Sequence, residues 1–459
     1  MSTEAPSSIG IIGAGISGLA LAWQLKQQGA KVTVLDEAPT PGGAMHSHRE
    51  GPYVAEDGPH SILVNSRDID DFLKSIPGLE ARIVEARPEA QKRFIVRNRT
   101  VHTVPMGPLQ AITTPLWSFA GKLRVLKEPF VKAIDPEAEE SVADFVRRRL
   151  GDELYRYAIN PLVGGIYAGR PEELSLRYGF PKLYTLEQEH GGLIRGAIEK
   201  MKEARRKRKS GATPFRKRMI SFRRGMGELP ETLAAALGDS ARPGVSITSI
   251  QKIEDGWAVS WIDAGDTEAS ARFDRLVLTV PAHRLHSLPL PEQVSADLRP
   301  LEAINYPPVS VLSLAFRRSD VTHPLDGFGA LVPECEGMNI LGVLFPASLF
   351  EGRTPQDEVL LTAFVGGSRQ PELATADTDK LLETVLPDLR ELLGVSGEPV
   401  YCHHRHWPKA IPQYKLGYQD YLTLMESAEA KHPGLRLCGN YRTGISVSYC
   451  IEAALSARI

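Results

Sequence analysis

The segment from Ile9 to Asp36 constrains the fold of this 459-residue chain more than any other stretch. It begins with a short run of apolar residues, Ile9 to Ile12, which has the length of a buried parallel strand. The turn Gly13–Gly18 follows with the pattern G-x-G-x-x-G, and Leu19 to Gln28 then has the composition of a helix. A second apolar strand, Val32 to Leu35, completes a predicted strand–helix–strand unit.

Each part of this unit has a physical role in binding a dinucleotide. Gly13 permits a tight turn, Gly15 lets the backbone approach a pyrophosphate, and Gly18 lets the helix pack closely on the strand. The first turn of the helix offers unpaired N–H groups and a partial positive charge to the phosphates. Asp36 ends the second strand, where a carboxylate accepts a hydrogen bond from a ribose hydroxyl. The unit therefore predicts a dinucleotide site, and it is compatible with both NAD and FAD.

Length, charge and cysteine content narrow the class of protein. A chain of 459 residues predicts two or three domains, and a net charge of -2 provides no general attraction to nucleic acid. No apolar run reaches about 18 residues, so no membrane-spanning helix is predicted. The first residues, MSTEAPSS, lack the basic and apolar parts of a signal peptide. The four cysteines have no C-x-x-C spacing, which is typical of a reduced, cytoplasmic protein.

The middle of the chain has a helical pattern followed by a basic run. Apolar residues recur at three- and four-residue spacing in Phe119–Phe130 and Val142–Tyr157, which predicts amphipathic helices. Their apolar faces either pack on a core or contact a membrane surface. The run Arg205–Arg218 is strongly basic but lacks aromatic interleaving. We interpret this run as a solvated loop, with anionic lipid or an acidic substrate as the alternative partner.

Strand-like patterns return in the second half of the chain. Arg275–Val280 is an apolar strand of the kind expected in the nucleotide-binding sheet. Leu435–Glu452 has the pattern of a strand, a turn and the start of a helix. The nucleotide-binding domain is therefore predicted to combine three separated pieces of sequence in an α/β fold.

Further motifs are distributed over most of the chain. They are Gly42-Gly43, Glu56-x-Gly58-Pro59-His60-Ser61, Ile166-Tyr167-Ala168-Gly169, Phe222-x-x-Gly225-Met226, Phe364-Val365-Gly366-Gly367-Ser368, Trp407-Pro408-Lys409-Ala410-Ile411-Pro412-Gln413-Tyr414 and Gly439-Asn440-Tyr441-x-x-Gly444-Ile445-Ser446-Val447. Together with the glycine turn, these motifs resemble the FAD-dependent amine oxidases. Within that superfamily the chain is most similar to the protoporphyrinogen and coproporphyrinogen oxidases, and closest to the protoporphyrinogen oxidases.

The resemblance implies a discontinuous domain organisation. A Rossmann-like FAD-binding domain would be assembled from residues 7–84, 219–286 and 406–459. An α+β substrate-binding domain would comprise residues 85–107, 184–218 and 287–405. Residues 108–183 would form a helical insert that can contact a membrane.

The resemblance also implies that FAD is bound without a covalent link. Asp36 with Glu37 would hold the adenosine ribose, and Ile250 would pack on the adenine. Reduced flavin gathers negative charge at N1 and O2, which N–H groups at the start of a helix stabilise. The implied cofactor-binding residues are Gly13, Ala14, Gly15, Ile16, Ser17, Gly18, Asp36, Glu37, Gly42, Gly43, Gly58, Pro59, His60, Ser61, Ile250, Trp407, Gly439, Ile445, Ser446 and Val447.

The implied substrate is a tetrapyrrole in a flat apolar slot over the flavin. Leu331, Leu344 and Phe364 would hold the ring, and the backbone carbonyl of Gly165 would lie close to the reacting carbon. Arg93 matches a basic residue that pairs with a substrate propionate, for which a guanidinium is well suited. From the residues alone, the three apolar side chains could equally pack in a core and Arg93 could equally be an exposed strand residue.

The implied reaction is the oxygen-dependent six-electron oxidation of protoporphyrinogen IX to protoporphyrin IX in haem biosynthesis. Hydride would be transferred to FAD three times, and hydrogen peroxide would be the by-product. Coproporphyrinogen III is the alternative substrate, because Arg97 and Arg99 can serve either additional carboxylates or solvent. Oxygen is the implied acceptor, and nucleic acid is not an expected partner. A homodimer and peripheral contact with the cytoplasmic membrane remain open.

Other interpretations are compatible with parts of the sequence. A flavin amine oxidase would need an aromatic cage, and Trp407 has no clear second partner; a carotenoid desaturase is a further enzyme alternative. A flavin-free binding protein would not need the intact glycine turn. The run Cys402–His406 matches no common zinc spacing, so no metal site is predicted. Asp36 and Ala44 depart from the superfamily pattern, which often has Glu at the first position and a basic residue at the second.

Overall fold

The computed structural model describes residues 7–209 and 215–457, which form an α/β molecule. Its strands are β1 (Ser8–Ile12), β2 (Lys31–Asp36), β3 (Ser47–Glu50), β4 (Tyr53–Glu56), β5 (Ile62–Val64), β6 (Ile83–Glu85), β7 (Phe94–Arg97), β8 (Thr100–Thr103), β9 (Arg218–Phe222), β10 (Ala241–Pro243), β11 (Ser246–Ile253), β12 (Gly256–Ile262), β13 (Glu268–Phe273), β14 (Arg275–Leu278), β15 (Val309–Arg317), β16 (Gly329–Leu331), β17 (Ile340–Leu344), β18 (Glu358–Gly366), β19 (Tyr401–Trp407) and β20 (Leu435–Leu437). Its helices are α1 (Ile16–Gln27), α2 (Arg67–Ser75), α3 (Pro108–Thr113), α4 (Phe119–Leu126), α5 (Val142–Arg149), α6 (Asp152–Leu154), α7 (Asn160–Tyr167), α8 (Leu176–Gly179), α9 (Pro181–His190), α10 (Leu193–Lys209), α11 (Glu228–Leu237), α12 (Glu292–Leu298), α13 (Pro346–Leu349), α14 (Thr378–Leu393), α15 (Tyr418–Lys431), α16 (Asn440–Thr443) and α17 (Val447–Ser456).

A five-stranded parallel sheet carries the predicted glycine turn. Its strand order is β10-β2-β1-β14-β20, so it combines three separated pieces of sequence. β1 pairs with β2 on one side and with β14 on the other. Ile9, Ile11 and Ile12 are buried, as expected for a central parallel strand covered on both faces. The predicted α/β fold is confirmed, with the strand–helix–strand unit at its centre.

A second, mixed sheet has seven strands in the order β19-β15-β18-β17-β16-β7-β8. One face packs on α14 through a buried cluster that includes Leu314, Phe316, Leu381, Val385 and Leu389. Because side chains alternate along a strand, the residues between these apolar positions lie on the opposite face. That opposite face is where the residues predicted to hold a substrate are found.

Helices α3 to α10 form a helical region in which buried ion pairs join successive segments. Arg149 of α5 is fully buried, and its guanidinium contacts Glu128 at 2.6 Å and also Glu187 of α9. The carboxylate of Glu128 accepts hydrogen bonds from the N–H groups of Leu193 and Ile194 at the start of α10, at 2.7 and 3.0 Å. The predicted domain boundary after residue 183 falls inside α9, and the domain division stays a prediction.

The predicted basic run is only partly described. Residues 205–209 belong to α10, so the interpretation as a loop is wrong for this part of the run, and residues 210–214 lie outside the described residues. Within the two described ranges, no helix is both long and apolar enough to cross a bilayer.

Candidate active site

The turn Gly13–Gly18 joins β1 to α1 and requires glycine at particular positions. Gly13 has a φ of +116°, and a Cβ there would lie 2.6 Å from the Oγ1 of Thr279. A Cβ at Gly18 would collide with the carbonyl oxygen of Gly13. At Gly15, in contrast, a Cβ would meet no atom within 4 Å, so this part of the turn faces open space. The turn therefore packs tightly against the sheet and leaves its outer side free for a ligand.

The first turn of α1 has the properties of an anion site. Its N-cap residue is Gly15, which offers no side chain to the N–H groups of the first turn, and no acidic residue lies in that turn. The N–H groups at the start of the helix, which includes Ile16 and Ser17, are therefore available to a phosphate. Ala14 lies just before the helix, and its carbonyl accepts a hydrogen bond from the N–H of Gly42 at 2.8 Å.

Asp36 and Glu37 follow the strand next to the turn. One carboxylate oxygen of Asp36 accepts a hydrogen bond from the N–H of Ala38 at 2.8 Å, and the other accepts one from the N–H of Ala14. Asp36 therefore holds the glycine turn in addition to its predicted contact with a ribose. Glu37 is exposed and pairs with Arg284 at 2.7 Å.

The Gly42-Gly43 loop lies directly against the first glycine turn. Gly42 and Gly43 have φ angles of +127° and +59°, which favour glycine. A Cβ at Gly43 would lie 3.6 Å from the Cα of Gly15. A Cβ at Gly58 would collide with the carbonyl oxygen of Ala44, so this position also has no room for a side chain. Three predicted cofactor segments thus meet through their backbones.

His60 is buried in the turn Gly58–Ser61 together with the partly exposed Pro59. Its ring meets the ring of Phe364 edge to face, with centroids 5.8 Å apart. Among the described residues, its Nε2 has no hydrogen-bond partner. Burial, with a smaller effect of the Arg353 charge, lowers the pKa of His60 to about 3, so the imidazole is neutral at physiological pH. The turn therefore presents an uncharged, unpartnered ring nitrogen beside a predicted substrate residue.

Trp407, at the end of β19, is tied to the residue before this turn. Its indole Nε1 donates a hydrogen bond to the carbonyl oxygen of Asp57 at 2.6 Å. The guanidinium of Arg405 lies over the indole, 4.4 Å from its centroid. Trp407 and Phe364 both pack against a cluster that includes Val311. The indole is therefore adjacent to the predicted substrate face.

The C-terminal segment presents a second helix start. Gly439 has a φ of +154° and begins the turn before α16. Ile445 and Ser446 precede α17, which begins at Val447. The hydroxyl of Ser446 accepts a hydrogen bond from the N–H of Tyr449 at 3.1 Å and so caps the helix. Ile250 is buried in β11 of a three-stranded sheet, in a cluster that also contains Ile12 of β1 and Leu35 of β2.

The predicted substrate residues lie on one face of the seven-stranded sheet. In the strand register, Leu331 is opposite Gly342, and Gly342 is opposite Phe364. Residues opposite each other in a sheet share a face, and Leu344 lies two residues from Gly342, so Leu331, Leu344 and Phe364 point to the same side. All three are only partly buried. Gly165 of α7 faces this group, because a Cβ at Gly165 would collide with the side chain of Leu331.

Three arginines near β7 differ in their partners. Arg93 is exposed, and its guanidinium lies 5.4 Å from the ring centroid of Phe328; it has no acidic partner within the described part of the chain. Arg97 pairs with Glu153 at 2.8 Å, and Arg99 pairs with Glu391 at 2.6 Å. Of these three side chains, only Arg93 keeps its charge unpaired.

The comparison with protein families decides the class. The chain matches the flavin containing amine oxidoreductase family over residues 16–457. The chain belongs to this family. It is 34% identical to protoporphyrinogen oxidase 2, chloroplastic/mitochondrial, of Arabidopsis thaliana, over 98% of this chain and 92% of that protein. It is 26% identical to coproporphyrinogen III oxidase of Bacillus subtilis, over 97% of this chain and 96% of that protein.

A solved structure shares the fold of the whole chain. It is a protein from Exiguobacterium sp. 255-15, provisionally named a protoporphyrinogen oxidase, and it superimposes with a TM-score of 0.79. The two sequences are 24% identical, and each chain is covered to 98%. The family match makes the chain a flavin oxidoreductase and confirms the predicted cofactor, FAD, and the shared fold agrees with it.

The residues of this flavoenzyme fit the cofactor. The space outside Gly15 and the uncapped start of α1 suit a pyrophosphate. The start of α17 offers N–H groups that suit the pyrimidine edge of a flavin. The unpartnered Nε2 of His60 is a buried polar group of the kind that a bound ligand satisfies. The individual residue contacts stay predictions.

Two groups of the flavoenzyme's site were not predicted from its sequence. Arg353 is buried, donates hydrogen bonds to Ser221 and the carbonyl of Phe222, and lies 3.8 Å from Glu56. Burial raises the pKa of Glu56 to about 7, against the effects of Arg353 and of hydrogen bonds from Ser47 and Met226. The second group is Asp57 with the rings of His46 and His403. Glu56 lies within the quoted motif that ends at Ser61. No sequence pattern, however, predicts its contact with Arg353 or the contacts of Asp57 with the two histidines.

Proposed function

We propose that this flavoenzyme oxidises protoporphyrinogen IX to protoporphyrin IX in haem biosynthesis, with oxygen as acceptor and hydrogen peroxide as by-product. The observation that carries the proposal is the similarity to proteins named protoporphyrinogen oxidase, at 34% identity across nearly the full length of both chains. Three oxidations of two electrons each would convert the methylene-bridged ring to the aromatic one.

The substrate face supports a flat apolar ligand. FAD, when bound, supplies a hydride acceptor for such a reaction. Leu331, Leu344 and Phe364 would grip the ring, and Gly165 would hold its backbone carbonyl towards the reacting carbon. A Cβ at this position would collide with Cδ2 of Leu331, so a larger residue would displace that side chain. These residues would contribute orientation, which can lower a barrier substantially without an acid or a base.

Arg93 would anchor a propionate at the edge of the slot. A guanidinium forms two parallel hydrogen bonds to a carboxylate, and that of Arg93 is exposed and unpaired among the described residues. Arg97 and Arg99 are each paired with a glutamate. Their pairing favours a substrate with fewer carboxylates at this edge, and therefore protoporphyrinogen over coproporphyrinogen.

Coproporphyrinogen III is the second candidate substrate. The similarity to proteins named coproporphyrinogen III oxidase, at 26% identity to that of Bacillus subtilis, favours it. An amine substrate has less support, because no second aromatic ring lies against Trp407 in the described part of the chain.

The site roles and domain division are part of the same proposal. The cofactor-binding residues predicted from the sequence would hold FAD in a domain assembled from residues 7–84, 219–286 and 406–459. Residues 85–107, 184–218 and 287–405 would present the substrate face. Residues 108–183 would form the helical insert.

Peripheral contact with the cytoplasmic membrane completes the proposal. Exposed apolar side chains are concentrated between the segment just before α3 and the turn after α4, namely Met106, Leu109, Ile112, Phe119, Leu123, Leu126 and Phe130. Lys122 of α4 donates hydrogen bonds to the carbonyls of Ile112 and Thr114, so these segments are adjacent. Exposed apolar groups of this density mark an interaction surface.

The direct test is an aerobic assay of both porphyrinogens that follows porphyrin fluorescence. We expect FAD-loaded protein to oxidise at least one porphyrinogen faster than any amine, with protoporphyrinogen the better substrate. FAD-free protein gives the background from oxidation in air. Fluorescence that grows no faster than this background with either substrate would refute the assignment.

A further inference from the structure

Asp57 joins three segments that converge on the candidate active site. Its side chain is only 3% exposed, and all four of its polar groups have partners. One carboxylate oxygen lies 2.7 Å from Nε2 of His403, and the other lies 2.7 Å from Nδ1 of His46. Its N–H donates to the carbonyl of His46 at 2.9 Å, and its carbonyl accepts from the indole of Trp407 at 2.6 Å.

The two histidines belong to different parts of the site. His46 follows the Gly42-Gly43 loop, and its side chain is 45% exposed. His403 lies on β19, within the seven-stranded sheet that presents the substrate face. The ring of His403 stacks on that of His48 of β3, with centroids 4.1 Å apart and the planes almost parallel. A single carboxylate therefore connects the glycine loop, the turn before His60 and the sheet.

This carboxylate remains charged in its buried place. Burial alone would raise the pKa of Asp57, but the hydrogen bonds and positive charges of His403 and His46 outweigh it and hold the pKa below its usual value. A buried carboxylate is costly unless it is fully hydrogen-bonded, so its two imidazole partners have well-defined positions.

The neighbours of Asp57 give this network a function beyond stability. The next residue is Gly58, whose backbone packs directly against Ala44, and His60 lies two residues further on. On the other side, the indole of Trp407 packs with Phe364 against one apolar cluster. A shift of Asp57 would therefore move a predicted flavin-lining turn and a predicted flavin-side indole together.

We propose that Asp57 is a positioning residue of this flavoenzyme. It fixes the turn of His60 and the indole of Trp407 relative to each other, and so fixes the walls between which the flavin ring binds. His403 and His46 hold the carboxylate in place. Asp57 has this role whichever substrate the flavin oxidises.

The test uses Asp57→Asn in the FAD-loaded protein, with Asp297→Asn as the matched control. Asp297 also pairs with a histidine and a cation, at 2.9 Å from His432 and 2.9 Å from Lys431, but it lies on α12, outside the candidate site. Asparagine has nearly the same size as aspartate but lacks the negative charge that contacts both imidazoles in the wild-type protein.

We expect Asp57→Asn to raise the Kd for FAD roughly tenfold or more, the effect of losing a charge-assisted hydrogen bond. The visible absorption bands of the bound flavin should shift in the same variant. Asp297→Asn should leave both the Kd and the bands unchanged. Unchanged FAD affinity and an unchanged flavin spectrum in Asp57→Asn would overturn the proposal, whatever the effect of the substitution on stability.

His403→Gln provides a second route if Asp57→Asn does not fold. It removes one partner of the carboxylate, and we expect it to shift the flavin bands and raise the Kd in the same direction. Where both single variants fold, the double variant should show effects smaller than their sum, because the two residues act as a unit. Additive effects, or a silent His403→Gln, would overturn the proposal. Failure of the porphyrinogen assay with wild-type protein would refute the proposed function alone.

Discussion

His60 shows how burial sets the charge of a single residue in the active site. Its pKa is lowered to about 3 because the ring is buried, and the positive charge of Arg353 adds to the effect. Below its usual pKa of 6.5, the unfolded chain binds a proton at this position that the folded chain does not. Stability must therefore fall as the pH falls from 6.5 towards 3.

We predict that His60→Gln removes this dependence in the FAD-free protein. At pH 5 the histidine should cost wild type about 2 kcal/mol of unfolding free energy relative to pH 7, and glutamine should not. Urea unfolding midpoints of both proteins at the two pH values measure the difference. The contribution of Glu56 to stability has the opposite pH dependence. Because Glu56 is present in both proteins, this contribution cancels in the difference between them. Equal losses in both proteins would contradict the prediction.

Arg93 provides a test of substrate anchoring. We predict that Arg93→Ala raises KM for the porphyrinogen about tenfold and lowers kcat much less, because a propionate contact is made equally in the ground and transition states. Arg93→Lys should recover part of the loss, since an ammonium keeps the charge but not the paired hydrogen bonds. Arg99→Ala is the matched control, because Arg99 already pairs with Glu391. Steady-state kinetics decide, and an unchanged KM would exclude Arg93 as an anchor.

At the scale of elements, short sequence patterns predicted the glycine turn and the strands of the parallel sheet. The turn Gly13–Gly18 and the strands around it follow from backbone sterics and strand burial, which a short segment determines by itself. The apolar strand predicted at Arg275–Val280 was identified in the same way, and β14 (Arg275–Leu278) lies in the five-stranded parallel sheet.

Contacts between distant segments could not be predicted from local patterns. His403 belongs to the run Cys402–His406, whose cysteine and histidines match no common zinc spacing, and its actual partner, Asp57, lies 346 residues away. His404 of the same run hydrogen-bonds Ser310 and Thr378 through its two ring nitrogens. Such pairs depend on how the sheets are assembled, and no periodicity or spacing encodes that assembly.

The helical region offers a prediction at this scale. Arg149, Glu128 and Glu187 are fully buried together, and Glu128 also holds the start of α10. Arg149→Met would leave the buried carboxylate of Glu128 without a cation, whereas Glu187 would keep its contact with Arg148 at 3.0 Å. An uncompensated buried charge of this kind costs about 3–5 kcal/mol. We expect faster hydrogen exchange in α5 and α10 and an earlier urea transition. Lys380→Met, which breaks an exposed pair with Glu383 on α14, should change stability by less than about 1 kcal/mol. Similar effects of the two substitutions would contradict the prediction.

At the scale of the whole molecule, the two faces of the seven-stranded sheet have different roles. One face packs on α14 and contributes a stable core. The other face carries the predicted substrate residues and meets α7 at Gly165. The candidate site therefore forms where discontinuous pieces of the chain meet, which explains why no single motif identifies the substrate.

The exposed apolar side chains of the helical region are accompanied by basic side chains. Phe130 is 84% exposed in the turn after α4, and the adjacent Glu128 binds the start of α10. α10 itself exposes Ile198 and Met201 beside several lysine and arginine side chains. Apolar groups next to basic ones are typical of helices that lie on an anionic bilayer.

We predict that the protein binds vesicles containing phosphatidylglycerol more tightly than vesicles of phosphatidylcholine, and that added salt weakens the binding. Phe130→Glu should weaken it about tenfold or more, since an inserted aromatic side chain contributes about 1.5–3 kcal/mol. Val400→Glu is the matched control, because Val400 is 45% exposed and lies just before β19, outside the helical region. Vesicle co-sedimentation measures all three proteins. Equal binding by Phe130→Glu and Val400→Glu would show that the surface around Phe130 does not contact the bilayer.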